Sequence, residues 1–384
     1  MLSRAQIEQY ERDGFVVLKN FVEANKCDRL RARAEELVRE FDPEEIVSVF
    51  STREQTRTSD DYFLESGDKI RFFFEENAFN ADGSLRQEKE KSINKIGHAL
   101  HDLDPVFDEF SRRNEIKELV LDLGIDQPLL LQSMYIFKQP NIGGEVTCHQ
   151  DATFLYTEPL RIVGLWFALE DAKIDNGCLW AIPGGHKPGL KSRFIREEEN
   201  KALPYRRATA PTPARTRFEV FDDSSWPEDN LKPLEVEKGT LIVLHPLLPH
   251  LSRENRSPKS RHAYTLHVID ASVNYPTDNW LQRAAEMARI EVESAAQREA
   301  AVAQARAAAE AAAKEALSAE LQQVRNEAEK KLADELSRVR ASADEALAEQ
   351  LQRTQEAAEQ AKAEHVARVQ AEAAAMRESE VQEA

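Results

Sequence analysis

No glycine and no proline occurs after Pro276, although 13 Gly and 16 Pro are spread over the residues up to it. A chain that omits both breakers for more than a hundred residues has little choice but helix. Residues 285–384 contain 32 Ala in 100 positions and otherwise mostly Glu, Gln, Arg and Lys, which predicts one long helix or a chain of helices. Two parts are expected, residues 1–276 and 277–384. The tail also repeats: segments starting at Val302, Leu317, Leu332, Leu347 and Lys362 align at a spacing of 15 residues. The best copies place Leu at positions one and five, Val at eight (Val324, Val339, Val369) and Ala at twelve (Ala328, Ala343, Ala358, Ala373). Four apolar positions per 15 is 3.75 residues per contact, above the 3.6 of a straight helix and the 3.5 of a left-handed coiled coil, so the stripe drifts right-handed. This coiled-coil-like seam buries little per turn. Weak self-association, a surface for a protein partner and a solvated extension all stay open.

Charge narrows the function classes. The chain carries 51 Lys+Arg against 69 Asp+Glu, a net −18, of which the tail contributes −8 and the front −10. Neither part suits the phosphate neutralisation from which nucleic-acid binders draw their affinity, so no nucleic-acid partner is expected. Cys27, Cys148 and Cys178 are too scattered for a disulfide framework or a zinc cluster, which favours a reducing compartment. The first eight residues lack an apolar run, and Leu241 to Leu251 falls far short of the ~20 apolar residues of a membrane span. The C-terminus is not of the Ser-Lys-Leu type. The expectation is a cytoplasmic protein with no membrane partner.

Ser3 can cap a helix running to about Arg12, Gly14 suits its stop, and Phe15–Leu18 reads as a strand before a second helix from Ala24 to Phe41. Residues 42–100 are highly charged and show no clear period. Short strands then dominate: Leu129–Gln139, Val146–Thr153, Arg161–Leu169, Gly177–Ile182, Arg217–Phe221, Lys232–Glu237, Thr240–Leu244, Leu248–Arg253 and Arg261–Asp270. Pro, Gly and Asn separate them at short intervals, as in an antiparallel sandwich or barrel, so the front is α+β with a β core.

His149 and Asp151 lie two apart in a segment of β character, so both project to one face while Gln150 points away. A third donor, His250, follows about a hundred residues later. Two His and one carboxylate on one octahedral face leave three positions open, the arrangement of non-haem Fe(II) oxygenases. Ser252 shares the strand face of His250, and Arg261 comes eleven residues after it. A guanidinium deep in a barrel is costly unless an anion meets it, and a dicarboxylate co-substrate is a suitable anion.

These residues, with the stretch Asn176 to His186 (NGCLWAIPGGH) and the opening Tyr10 to Leu18 (YERDGFVVL), resemble the phytanoyl-CoA dioxygenase family, and within it the phytanoyl-CoA dioxygenase domain-containing protein 1 branch. The resemblance covers roughly residues 3–275, and the tail has no counterpart in it. It implies a double-stranded β-helix (jelly roll) with flanking helices, binding Fe(II) and 2-oxoglutarate. His149, Asp151 and His250 match the iron ligands, Arg261 and Ser252 the anchor of the distal 2-oxoglutarate carboxylate, and Lys95, Met134 and Trp166 the lining of the co-substrate pocket. Gly185 departs from the Ser more usual before the His, and Cys148 beside a ligand is an oxidation liability.

The implied activity is hydroxylation of a small-molecule substrate, acyl or lipid-like, with O2 consumed, succinate and CO2 as co-products and ascorbate in support. Halogenation on such a scaffold needs a small residue in place of Asp151, so hydroxylation is favoured. The alternatives are an inactive barrel used as a binding module and a scaffold working through its helical tail. His186 and His245 are expected outside the iron site, and His262 and His267, of opposite strand parity, are expected to be structural. The Arg- and Lys-containing loop from Gly189 to Arg217 is expected to roof the pocket.

Overall fold

The computed structural model describes residues 2–43, 48–50, 61–197, 216–283 and 295–382. It divides into two compact units, Met1–Val292 and Glu293–Ala384. In the first, α1 (Arg4–Asp13) opens on a reciprocal cap in which Ser3 Oγ accepts from Gln6 N while the Gln6 side chain accepts from Ser3 N. It ends at Gly14, whose φ of 82° turns the chain directly into β1 (Phe15–Leu18). Helix α2 (Ala24–Glu40) buries Cys27, Leu30, Ala34 and Val38, a 3–4 spacing that makes one apolar face. The next stretch, where no clear period was visible, holds α3 (Asp61–Leu64), β2 (Ile70–Phe74) and β3 (Ile93–His98). Helices α4 (Leu100–Leu103), α5 (Pro105–Ser111) and α6 (Asn114–Asp122) follow. The start of α5 is set by Asp104, whose carboxylate accepts from Val106 N and Phe107 N ahead of Pro105 at the first helical position.

The remaining elements are β4 (Pro128–Ile136), β5 (Val146–His149), α7 (Asp151–Phe154), β6 (Ile162–Ala168), β7 (Leu179–Ala181), β8 (Ser192–Arg196), β9 (Thr216–Val220), β10 (Lys232–Leu234), β11 (Leu241–Leu244), β12 (His250–Ser252) and β13 (Ala263–Asp270). Seven strands form one sheet in the order β1-β11-β6-β13-β4-β3-β2, and four form a second in the order β10-β7-β12-β5. The pairings are antiparallel. Alternation along the large sheet separates two apolar layers. Tyr264, Leu266, Val268, Phe167 and Leu165 pack with α2, α5 and α6. Trp166, Ala168, Ile242, Leu244 and Ala263 pack against Leu179, Ala181 and Leu234 of the small sheet. The space between the sheets is where the side chains of interest converge.

Three expectations need correction. The strand drawn from Val146 to Thr153 ends at His149, and Asp151 opens the single turn α7, whose Ala152 N donates to Pro246 O. The segment from Gly189 to Arg217 is not wholly loop, since β8 pairs with β9; its residues 198–215 lie outside the described residues. The front unit also runs past Pro276, with Trp280 and Leu281 buried and Arg283 donating to Leu131 O and the Asp102 carboxylate.

The second unit contains α8 (Ala295–Gln382), 88 residues and about 130 Å long at 1.5 Å per residue. Leu317, Leu321, Val324, Leu332, Leu336, Val339, Leu347 and Leu351 are all exposed along it. No helix among the described residues is long and apolar enough to cross a membrane.

Candidate functional site

Antiparallel pairing of β5 with β12 sets His149 directly opposite His250. The turn at α7 then brings the Asp151 carboxylate between them, with Oδ1 3.8 Å from His149 Nε2 and 3.6 Å from His250 Nε2. Both spacings fall inside the about 4.2 Å that two donors, each about 2.1 Å from one ion, can span. Among the described residues these three form the one group whose ligand atoms are close enough to share a metal ion. Each imidazole is oriented by the backbone two residues upstream: His149 Nδ1 is 2.8 Å from Thr147 O and His250 Nδ1 is 2.9 Å from Leu248 O. Protons on Nδ1 donate to those carbonyls and leave both Nε2 lone pairs facing inward, as a metal requires. Burial, followed by the neighbouring His250, lowers the His149 pKa to about 4, so that imidazole is in its ligating form at neutral pH. Burial works to raise the Asp151 carboxyl, but His250, His267 and His149 together hold it well below the usual carboxylate range. Gln150 points away, donating to Gly189 O and Leu247 O. The donor set fits a divalent metal.

Further along the same interior lies Arg261, 1% exposed. Its Nε donates to Gly177 O at 3.0 Å, its Nη2 lies 3.2 Å from Ser252 Oγ, and Nη1 is buried with no partner. Burial lowers its pKa only to about 10, so the guanidinium stays charged at neutral pH. An uncompensated buried cation with one N–H pair unused fits a carboxylate. The strand registers place the other expected residues on the floor of this interior: Lys95 opposite Ile136 and, across β4, in line with Ala263, and Met134 opposite Thr265 and, across β13, in line with Trp166. Trp166 lies 5.2 Å under the Arg261 guanidinium, and Lys95 Nζ is 3.9 Å from Met134 Sδ. All eight expected residues therefore lie in the interior shared by the two sheets.

Two residues were not foreseen. His267, expected to be structural, places Nε2 3.3 Å from Asp151 Oδ2. Lys138 is buried beside the Arg261 anchor, its Nζ donating to Gly144 O and Ser252 O, and burial, then Arg261, lowers its pKa to about 7. Its signal in the sequence was a lone Lys at the end of an apolar strand, indistinguishable from a surface residue. Of the other histidines, His186 reaches Glu11 O, His245 packs on the His186 ring, and His262 contacts Tyr135 Oη on the helix-covered side. The Cys148 thiol packs against the cluster of Ile182, Leu231 and Leu251, and burial pushes its pKa up to about 12, which disfavours the reactive thiolate.

Lys95 yields a stability prediction. It is 4% exposed with no carboxylate in pairing range among the described residues, and its Nζ sits 3.5 Å from the Phe50 ring centre. Burial lowers its pKa from 10.5 to about 7. Between those values the unfolded chain holds a proton that the folded chain does not, so stability rises with pH across the window. Lys95→Met, which removes the buried amine, should stabilise the fold by about 1–4 kcal/mol at pH 7, with the advantage shrinking toward pH 10. Melting curves at both pH values check this; a pH-independent difference contradicts it.

Residues 10–263 match the phytanoyl-CoA dioxygenase (PhyH) family. Phytanoyl-CoA dioxygenase 1 of Oryza sativa subsp. japonica is 48% identical over 283 residues, covering 73% of this chain and 94% of that protein. Phytanoyl-CoA dioxygenase domain-containing protein 1 of Mus musculus is 45% identical over 293 residues, covering 74% and 97%. Among solved structures, EctD from S. alaskensis with bound Fe overlaps at 18% identity and a TM-score of 0.47, covering 75% of this chain and 84% of that one. On the family match and the relatives' identity, this chain belongs to the phytanoyl-CoA dioxygenase family.

Proposed function

We propose that the chain is an Fe(II)- and 2-oxoglutarate-dependent dioxygenase, built on a double-stranded β-helix, that hydroxylates a small acyl or lipid-like substrate and releases succinate and CO2. The supporting observation is that one interior holds both a His149-Asp151-His250 donor set and Arg261 with its unpartnered Nη1. When bound, iron would supply activation of O2 coupled to decarboxylation of 2-oxoglutarate, with ascorbate keeping the metal reduced. The chain's own task is positioning. His149 and His250, fixed by their carbonyls, and Asp151 present donors from one side and leave the other side open. Arg261 and Ser252 would take the distal carboxylate, with Trp166, Met134 and Lys95 walling the co-substrate. Phe154 stands edge-on to His149 at 5.8 Å and packs on Phe194, an apolar approach suited to a hydrocarbon chain and to excluding water. Aerobic incubation with Fe(II), ascorbate and 2-oxoglutarate, with succinate measured across a panel of carboxylic acids and their acyl derivatives, tests the reading. No succinate above the Asp151→Ala background with any compound would count against it.

A second reading, a scaffold working through its tail, is favoured by the exposed Leu and Val stripe on α8. Since every residue placed at the site lies between Lys95 and His267, a truncation ending at Val292 should retain turnover within about twofold. Light scattering on both chains separates the readings. A lower subunit number in the truncated form assigns self-association to the tail, equal numbers reject it, and lost turnover rejects its independence from the site.

A further inference from the structure

We propose that His267 is a positioning residue that holds the Asp151 carboxylate by Oδ2, so that Oδ1 alone is presented to a metal; this rests on the metal-site reading above. The two oxygens of Asp151 face different groups. Oδ1 lies 3.8 and 3.6 Å from the Nε2 atoms of His149 and His250, while Oδ2 lies 3.3 Å from His267 Nε2. Oδ2 is buried and no aligned hydrogen bond reaches it, so His267 is the donor within range that a small ring rotation would bring into line. The tautomer follows from the surroundings. His267 Nδ1 is buried without a partner, whereas Nε2 has an acceptor in range, so Nε2 is the nitrogen that donates.

The fold prepares this arrangement from two adjacent strands. On β13, Ala263, Thr265 and His267 alternate toward the interior, and His267 pairs across with Gly164 of β6. A Cβ at Gly164 would come within 2.8 Å of Asp151 Oδ2 and 3.3 Å of Leu244 Cβ. Glycine there is therefore the space the carboxylate occupies. With Oδ2 seated in the space that Gly164 leaves and within reach of His267, turning both oxygens toward one ion would give up that contact. Bidentate binding, which would take a position a chelating co-substrate needs, is opposed. His267 is not a fourth ligand in this geometry, since its near nitrogen addresses the far oxygen of Asp151.

The test is Mn(II) calorimetry on the full chain, with metal-free melting as the measure of fold. His267→Leu should weaken Mn(II) about 10–100-fold, the range seen when a partner that orients a metal ligand is removed. His267→Gln, which keeps an N–H donor, should recover affinity to within about fivefold of wild type. Gly164→Ala should weaken Mn(II) while leaving His267 in place. A folded His267→Leu protein with wild-type Mn(II) affinity overturns the proposal. If His267→Leu does not fold, wild-type affinity in Gly164→Ala, or equal weakening by His267→Gln and an apolar His267→Met, overturns it. Failure of the wild-type chain to bind Mn(II) instead sinks the metal-site reading and this inference together.

Discussion

Asp151→Ala lowers Mn(II) affinity by at least about 100-fold and abolishes succinate formation, while the metal-free protein stays folded. The first effect follows from charge: Asp151 is the one carboxylate of a three-donor set completed by two imidazoles, so its loss removes a ligand and the main electrostatic attraction at once. The second follows from burial. At 7% exposure the carboxylate is out of water, so its desolvation offsets much of what the neighbouring imidazoles contribute, and alanine removes both together. His149→Ala and His250→Ala share the metal defect. Calorimetry with Mn(II) and melting curves with and without it are the measurements. A variant that melts far below wild type without metal, yet binds Mn(II) normally, would make Asp151 a structural residue.

Arg261→Lys weakens 2-oxoglutarate by about 2–3 kcal/mol, roughly 30–150-fold, and leaves Mn(II) affinity within about threefold. In the wild-type chain Nε and Nη2 are already committed to Gly177 O and Ser252 Oγ, and Nη1 remains for a ligand. An ammonium cannot hold those contacts and reach an incoming carboxylate along a fixed plane, nor does it have a planar face to offer the Trp166 ring, whose centre is 5.2 Å from the guanidinium carbon. Calorimetry of 2-oxoglutarate against Mn(II)-loaded protein reads the loss. Equal weakening of metal and 2-oxoglutarate would mean that Arg261 supports the fold.

What the sequence revealed of this site was its chemistry, because His149, Asp151, His250 and Arg261 are the kinds of residue that are costly to bury and seldom placed in strands without a use. It could not reveal how they are held. The i, i+2 argument put His149 and Asp151 on one face of a strand, whereas the strand stops at His149 and the turn at α7 delivers the carboxylate. The β2–β3 region stayed illegible because burial there does not alternate. Asn94 and Lys95 are both buried among apolar neighbours in β3, and Phe72, Phe73 and Phe74 are buried in succession in β2. The parity of His262 and His267 was correct, but which face of β13 is interior depends on the helices that cover the other face. That long-range fact decides that His262 meets Tyr135 and His267 meets Asp151. The tail is the reverse case: propensity and the lack of breakers specified the helix Ala295–Gln382 locally, with no tertiary contact needed.

The central claim is that the donor set and the Arg261 anchor are two halves of one co-substrate site, and thermodynamic linkage tests it most directly. If 2-oxoglutarate bridges metal and guanidinium, its affinity must rise when the metal is present, and the metal's affinity must rise by the same factor when 2-oxoglutarate is present. Calorimetric titration of the full chain with 2-oxoglutarate, with and without Mn(II), should show at least about tenfold tighter binding in its presence, with the reciprocal experiment giving the same factor. Equal 2-oxoglutarate affinity with and without Mn(II), in a chain that binds Mn(II), would contradict the account.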